Sequence, residues 1–430
     1  MFKNNYVMED LVVEKLRSSD EEMSVIISAK NCTCDELEAY IIKAGGRIKH
    51  KFDIINAVAA YLPSVGVKSA AREQFVGKIF LDDKVYKSMD IASITVGSHY
   101  ANELGYTGKG VTIAVVDTGV FPHNDLIRPT NRIIGFKDYV NENSAPYDDD
   151  GHGTHVAGIV SGNAFSSRGK HMGIAPDSNI VGVKVLGKDG SGSISDVIAG
   201  IQWIIANKNQ YDIKILTLSL GTKPKTSYRE DPLCQAVEKA VSSGITVVAA
   251  AGNNGPDKKT IDSPANSPNV ISVGACDDRL SDSPSKVILA DFSSRGPTLD
   301  GLNKPDILAP GVNINSLNNH NGYQRLSGTS MAAPIVAGCA ALLLEKNPEL
   351  SPREIKKILS STALHLPLTQ TEQGAGLLNF RELIDTTNYL PKSNHLDFTP
   401  SLGESKASNI KSGFNNWFWV VLILLIVLIL

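Results

Sequence analysis

The chain has 430 residues, with 42 Lys plus Arg against 45 Asp plus Glu and a formal net charge of −3. That balance excludes a dedicated nucleic-acid binder, whose phosphate contacts demand a basic surface. Hydrophobic residues make up 42% and charged residues 20%, which excludes wholesale disorder. At roughly 150 residues per domain the length allows about three folding units.

The first stretch, MFKNNYVMEDLVVEKLRSSDEE, has no apolar run long enough for a conventional secretory signal. Residues 23–86 then read as a small module. MSVIISA (Met23–Ala29) is a β-branched strand, and Thr33 with Glu36 has the spacing of a capping box. These predict a helix over 35–44, ended by Gly45-Gly46. RIKHKF and IINAVAAYL follow as strands, 67–75 as a second helix and 77–82 as a last strand. The order β-α-β-β-α-β is the split, ferredoxin-like α+β arrangement, which by itself says nothing of function.

From Gly110 the texture changes. VTIAVV (111–116), NIVGVKVL (179–186), IKILTLSL (213–220), ITVVAAAG (245–252) and VISVGA (270–275) are near-continuous apolar runs, as parallel strands covered on both faces require. Helices are predicted between them over 195–206 and 232–243. The fold class is α/β, a mainly parallel sheet with helices on both faces, and its ligands belong beyond the carboxyl ends of the strands. Residues 386–413, rich in Ser, Asn, Gly and Lys, read as a linker. Trp417 to Leu430 then reads WFWVVLILLIVLIL, without a polar break. At 1.5 Å per residue that run spans about 21 Å against a hydrocarbon core of about 30 Å. Trp417 and Trp419 sit where an interfacial belt belongs, so 414–430 is expected to be a single membrane anchor helix, short for its task. Cys32, Cys34, Cys234, Cys276 and Cys339 are odd in number and scattered, so no disulfide framework or metal cluster is expected.

Three segments fall where such a sheet builds a site. Asp117 closes the first long strand in V-V-D-T-G. His152 lies in D-G-H-G-T-H, and Ser330 lies in S-G-T-S-M-A-A-P at the start of a helical run to Leu344. An alcohol is a weak nucleophile at neutral pH and needs an imidazole to take its proton. The imidazole in turn needs a carboxylate to hold its tautomer. A serine at a helix amino terminus also has unpaired N–H groups near it for a developing oxyanion. Taken singly, each residue has an ordinary reading: Asp117 and Ser330 as caps, Asn253 as a turn residue in a glycine-rich loop.

Taken together, VVDTG (115–119), GHGTHVAG (151–158), AAGNNG (250–255) and SGTSMAAP (327–334) resemble the signatures of the subtilisin-like serine proteases, the subtilases. The resemblance runs from about Gly105 to Phe380. It implies a serine endopeptidase working through an acyl-enzyme on protein or peptide substrates, with Asp117, His152 and Ser330 as its triad. Asn253 would be the side-chain donor of the oxyanion hole. Gly190, Ser191 and Gly192, with Ser219, Leu220 and Gly221, resemble the segments that bracket an extended substrate. Ala250, Ala251 and Gly252 resemble one wall of the first specificity pocket. His155, Arg295, Asp148–Asp150 and Cys339 are expected to be structural.

The resemblance also implies that 1–89 is a propeptide, a folding aid and then an inhibitor of the catalytic domain 90–385, removed by self-cleavage. The membrane is the other expected partner, through the carboxyl-terminal helix, with the side facing the protease left open. No cofactor is required for the chemistry and no metal ligand is assigned. Many subtilases hold calcium through a loop after the histidine helix, and Asp125 resembles one ligand. NAFSSRGKHMG (163–173) puts cations where hard oxygen ligands belong, so that site is expected to be absent and other calcium sites stay open. A catalytically silent, membrane-tethered peptide binder is the alternative from another class. Two scissile bonds compete for maturation. Strand register from Asp83-Lys84-Val85 favours Met89–Asp90, whereas an acidic Asp262 at the base of the pocket would favour Lys87–Ser88. Asp262 is read as a loop residue facing solvent, so Met89–Asp90 is preferred.

Overall fold

Alternation sets the first sheet. In β1 (Met23–Ala29) Met23, Val25 and Ile27 are buried while the residues between them are half-exposed, as a sheet with one covered face requires. The structure, a computed structural model, describes residues 7–8, 10–18, 21–52, 56–81, 95–279 and 286–386. The expected anchor, the linker beyond residue 386 and both candidate scissile bonds lie outside the described residues.

With β2 (Arg47–Phe52), β3 (Ala57–Leu62) and β4 (Val76–Leu81), β1 forms an antiparallel sheet in the order β2-β3-β1-β4. This is the ferredoxin-like arrangement expected, with an additional helix, Asp10–Ser18, ahead of it. The helix Cys34–Lys43 starts at a capping box, in which Thr33 N–H donates to Glu36 Oε2 at 2.8 Å. The second helix is Ser64–Ala70, several residues earlier than the expected 67–75. Gly66 permits this, because a Cβ there would press on Leu62 at 2.9 Å. Packing therefore overrides the low helix propensity of glycine.

The larger sheet contains β5 (Thr112–Asp117), β6 (Ile133–Asp138), β7 (Asn179–Lys184), β8 (Ile213–Leu218), β9 (Thr246–Ala250) and β10 (Ile271–Asp277). Their order is β6-β7-β5-β8-β9-β10, all parallel. β11 (Ile288–Leu289) pairs antiparallel and β12 (Ile307–Pro310) parallel with β10. β7, β8 and β9 each end two residues before the apolar run does, because the last residues leave the sheet to build a cleft. β6 was not legible in the sequence because, as an edge strand, it is half-exposed over its middle four residues.

Helices cover both faces. His152–Ser161, Thr329–Lys346 and Pro352–Ser361 pack on one side, Ile194–Ala206 and Pro232–Ser242 on the other. Thr329–Lys346 is apolar all round and almost wholly buried, the signature of a helix inside a core. Among the described residues it is the one helix long and apolar enough to cross a membrane, and the core encloses it instead. Each fully buried Leu or Ile there contributes about 1.5–3 kcal/mol. A hairpin of β13 (Ile314–Leu317) and β14 (Tyr323–Leu326) packs against His152–Ser161. Among the described residues no disulfide joins the cysteines.

Candidate active site

Three adjacent strands end on one cleft of about 700 Å³. β5 delivers Asp117, β8 runs on into Ser219-Leu220-Gly221, and β9 runs on into Ala251-Gly252-Asn253. The chain crosses from one side of β5 to the other after β7, so the cleft lies where the order of strands reverses.

Asp117 is fully buried. Its Oδ1 accepts from His152 Nδ1 at 2.7 Å and from the Thr118 N–H at 2.8 Å, while Oδ2 is buried with no donor among the described residues. Donation from Nδ1 leaves Nε2 of the neutral imidazole as the acceptor, facing the cleft. Burial alone drives the imidazole down. The charge and hydrogen bond of Asp117, then the charges of Asp150 and Asp148, outweigh it and raise His152 to about 9.

The histidine helix begins where its neighbours leave no room for error. The Asp148 carboxylate accepts from the Gly151 and Thr154 N–H groups, both at 2.8 Å, and from the Thr154 hydroxyl at 2.6 Å. A Cβ at Gly153 would collide with the Gly119 carbonyl oxygen, so only glycine lets this helix approach the end of β5. Lys184, opposite Asp117 in register, is buried and donates to the Thr118 and Leu186 carbonyls at 2.7 and 2.8 Å and to Asp149 at 2.5 Å. Asp148 and Asp149 are thus structural. Asp150 differs: it lines the cleft and accepts from the His152 N–H at 3.0 Å.

Ser330 is the second residue of its helix. Its hydroxyl donates to the Ser219 carbonyl at 3.1 Å, and the Ser219 hydroxyl donates back to the Ser330 carbonyl at 2.9 Å. Pro334 explains the second bond. It has no N–H for the carbonyl four residues earlier, so Ser219 replaces it. Asn253 is oriented by Thr329, whose N–H and hydroxyl both donate to Asn253 Oδ1, at 2.9 and 3.0 Å. The N–H donor identifies Oδ1 as the oxygen and leaves the Nδ2 amine beside Gly328, at the start of the serine helix. Thr329 also accepts from the Gly252 N–H at 3.2 Å, which locks the two loops together. Sequence reasoning missed this residue, although it lies within the SGTSMAAP run.

Of the other expected residues, Gly190, Ser191, Gly192, Ser219, Leu220, Gly221, Ala250 and Gly252 line the cleft. Ala251 does not. It points the opposite way from Ala250, into the core beneath the other face of the sheet, because side chains alternate along an extended strand. Asp262 is a second correction. It is buried, lines the cleft, and accepts both contacts of the Asn254 amine, at 3.1 and 3.0 Å, rather than facing solvent. His155 joins its helix to the hairpin, Nε2 lying 3.1 Å from both the Ile314 and Gln324 carbonyls, and burial pushes it down to about 4. Arg295 pairs with Glu372 at 3.2 Å and Cys339 is enclosed in the core.

At Asp125, the residue that resembles a calcium ligand, the oxygens meet protein donors. Oδ1 accepts from the Ser166 N–H at 2.7 Å and Oδ2 from the Tyr323 hydroxyl at 2.5 Å, while the Arg132 guanidinium takes the main-chain oxygen. Those oxygens are committed to protein donors, and a fixed cation stands among the carbonyls. Among the described residues no three His, Cys, Asp or Glu side chains group as a metal site.

The chain is similar to proteins already known. Residues 108–380 match the subtilase family. Serine protease AprX of Bacillus subtilis (strain 168) is 47% identical over 73% of this chain and 76% of its own length. Subtilisin E of the same organism is 35% identical over 84% of this chain and 87% of its own. Among solved structures, Sphericase superposes with a TM-score of 0.57 at 30% identity, covering 69% of this chain and 94% of that one. A cold-adapted subtilisin-like serine proteinase gives 0.53 at 35% identity, over 64% and 90%. The fold and the cleft define a subtilisin-like serine endopeptidase, acting on protein or peptide substrates. The chain belongs to the subtilase family.

An NMR titration of the His152 ring should give a midpoint above the ordinary 6.5, since nearby negative charge favours the cation. Asp150→Asn should lower that midpoint while keeping the acceptor for the His152 N–H. An unchanged midpoint would remove Asp150 from the causes.

Proposed function

We propose that Ser330 is the nucleophile, His152 the general base and then acid, and Asp117 the carboxylate that orients the ring. The observation that carries this reading is the 2.7 Å Asp117–His152 bond in one cleft with Ser330 and an Asn253 amide of fixed orientation. To attack, the Ser330 hydroxyl exchanges the Ser219 carbonyl for His152 Nε2. The Oγ–carbon bond forms as the proton passes to the ring. Asn253 Nδ2 and the Ser330 N–H, in the unpaired first turn of its helix, donate to the oxyanion. The C–N bond then breaks, the amine takes the proton from His152, and water repeats the sequence to release the acid. Substrate lies extended between the 190–192 and 219–221 segments, pairing through its main chain.

Two further readings extend this one. Residues 1–89 act as a propeptide that chaperones and then inhibits the catalytic domain 90–385, removed by the enzyme itself. A separate ferredoxin-like sheet with its own core, ahead of the catalytic sheet, supports this. Residues 414–430 tether the enzyme to a membrane, supported by the unbroken apolar run and its leading tryptophans.

A fluorophosphonate should label Ser330, and failure to label would favour a silent peptide binder. Ser330→Ala should lower kcat by about 10⁶ and Asn253→Ala by about 10²–10³, magnitudes established for subtilisin itself rather than derived from this chain. Residual peptidase activity of the Ser330→Ala protein in a clean preparation counts against the triad.

Maturation is tested by the same variant. Ser330→Ala should persist as one uncleaved chain near 46.1 kDa, and normal processing without other proteases refutes self-cleavage.

For the anchor, the 430-residue chain should resist carbonate extraction from membranes, while a chain ending at Gly413 should be soluble and active. Recovery of the longer chain in the soluble fraction sinks the tether.

A further inference from the structure

We infer that the first specificity pocket of this protease is acidic at its floor, and that Asp262 selects Lys or Arg on the acyl side of the scissile bond. The inference rests on the protease reading above and adds its substrate class. Two walls of the cleft, 219–221 and 250–252, are both glycine where Asp262 meets them. A Cβ at Gly252 would collide with the Asp262 carboxylate, and one at Gly221 would stand 3.0 Å from Asp262 Cβ. The carboxylate therefore closes the space between the walls. It is also held there by backbone: the Asp262 N–H donates to the Ala251 carbonyl at 2.9 Å, and Ser263 and Thr222 exchange hydrogen bonds at 2.8 and 2.9 Å. A group fixed to both walls by main chain is preorganised, so binding pays little to aim it.

The chemistry of the pocket favours a cation. Asp262 is only 8% exposed, and among the described residues its carboxylate accepts from one side-chain amide, Asn254 Nδ2. Burial pushes its carboxyl up to about 6, against the Asn254 bond, so at neutral pH it is ionised and short of partners. An apolar side chain entering the pocket would strip remaining water from that charge and offer nothing in exchange. A lysine ammonium or an arginine guanidinium would supply the missing donors and the counter-charge. Among the described residues lining the cleft none is Lys or Arg, while Asp150 adds a second negative charge at its rim. The same preference moves the maturation cut from Met89–Asp90 to Lys87–Ser88, because Lys87 is a cation at hand.

Peptides that differ only in the residue before the cut would test this on mature enzyme, normalised by fluorophosphonate titration. The wild type should favour Lys and Arg over Met, Leu and Phe in kcat/KM by about 10–10²-fold, the span of a charge-assisted hydrogen bond. Asp262→Asn, which keeps the shape, should erase that ratio by lowering Lys and Arg rates and raising apolar ones. The first residue of the mature chain should be Ser88. A wild type that labels normally yet favours Met, Leu or Phe overturns the assignment without any variant, as does an Asp90 amino terminus. Equal losses on all peptides in Asp262→Asn also overturn it, marking Asp262 as structural. An enzyme that neither labels nor cleaves any peptide overturns the protease reading itself, and the inference with it.

Discussion

The site depends on one buried charge. Asp117 sits at the carboxyl end of its strand, fully enclosed, with one oxygen that meets no donor among the described residues. A carboxylate in that position is costly unless a cation or a strong donor meets it, and breaking such a buried pair typically costs about 3–5 kcal/mol. His152 is what meets it. The glycines at 119 and 153, the Asp148 cap and the Lys184 clamp all hold that ring against the end of β5. The same arrangement that makes the carboxylate tolerable fixes the ring's orientation and favours its cation.

The other half of the cleft is built by hydrogen bonds between loops rather than by charge. Thr329 connects the Gly252 N–H to the Asn253 oxygen, and Ser219 and Ser330 are bonded in both directions. The serine helix can enter this network because it is rigid: its remaining length is packed on all sides within the core. A proline in its second turn frees one carbonyl, and that carbonyl is where β8's extension attaches. Core packing and site geometry are here one arrangement, since a shift of this helix would move Ser330 and release Asn253 together.

Buried cations serve the scaffold. Lys184, Lys304 and Arg132 are each enclosed and each meets main-chain carbonyls together with, or close to, a carboxylate. Near Asp125, Arg132 donates to the Ser161, Ser178 and Asp125 carbonyls. The acidic groups distribute differently: Asp148, Asp149 and Asp125 are spent on structure, whereas Asp117, Asp150 and Asp262 face or support the cleft. That distribution leaves the cleft negative.

Much of this was legible in the sequence, because the informative features are local. Parallel strands buried on both faces appear as apolar runs, and VVDTG, GHGTHVAG and SGTSMAAP keep each reactive residue with the glycines and caps that its own turn requires. Asp117, His152, Ser330 and Asn253 could thus be picked out as candidates before any fold was known, and the folded chain brings them to one cleft. What the tertiary structure alone decided was direction and partnership. Ala251 and Ala250 are the same residue type one position apart, yet alternation sends them to cores on opposite faces of the sheet, and only Ala250 also borders the cleft. Asp262 lies in a stretch with no periodicity, and its side chain faces inward where its own N–H bonds to the Ala251 carbonyl and the next residue, Ser263, pairs with Thr222, in the segments that follow two separate strands. Thr329 and Gly252, 77 residues apart, share a hydrogen bond that no local pattern encodes. Contacts of that kind come from packing distant segments together, so the sequence could name the chemistry while only the folded chain could show what surrounds it.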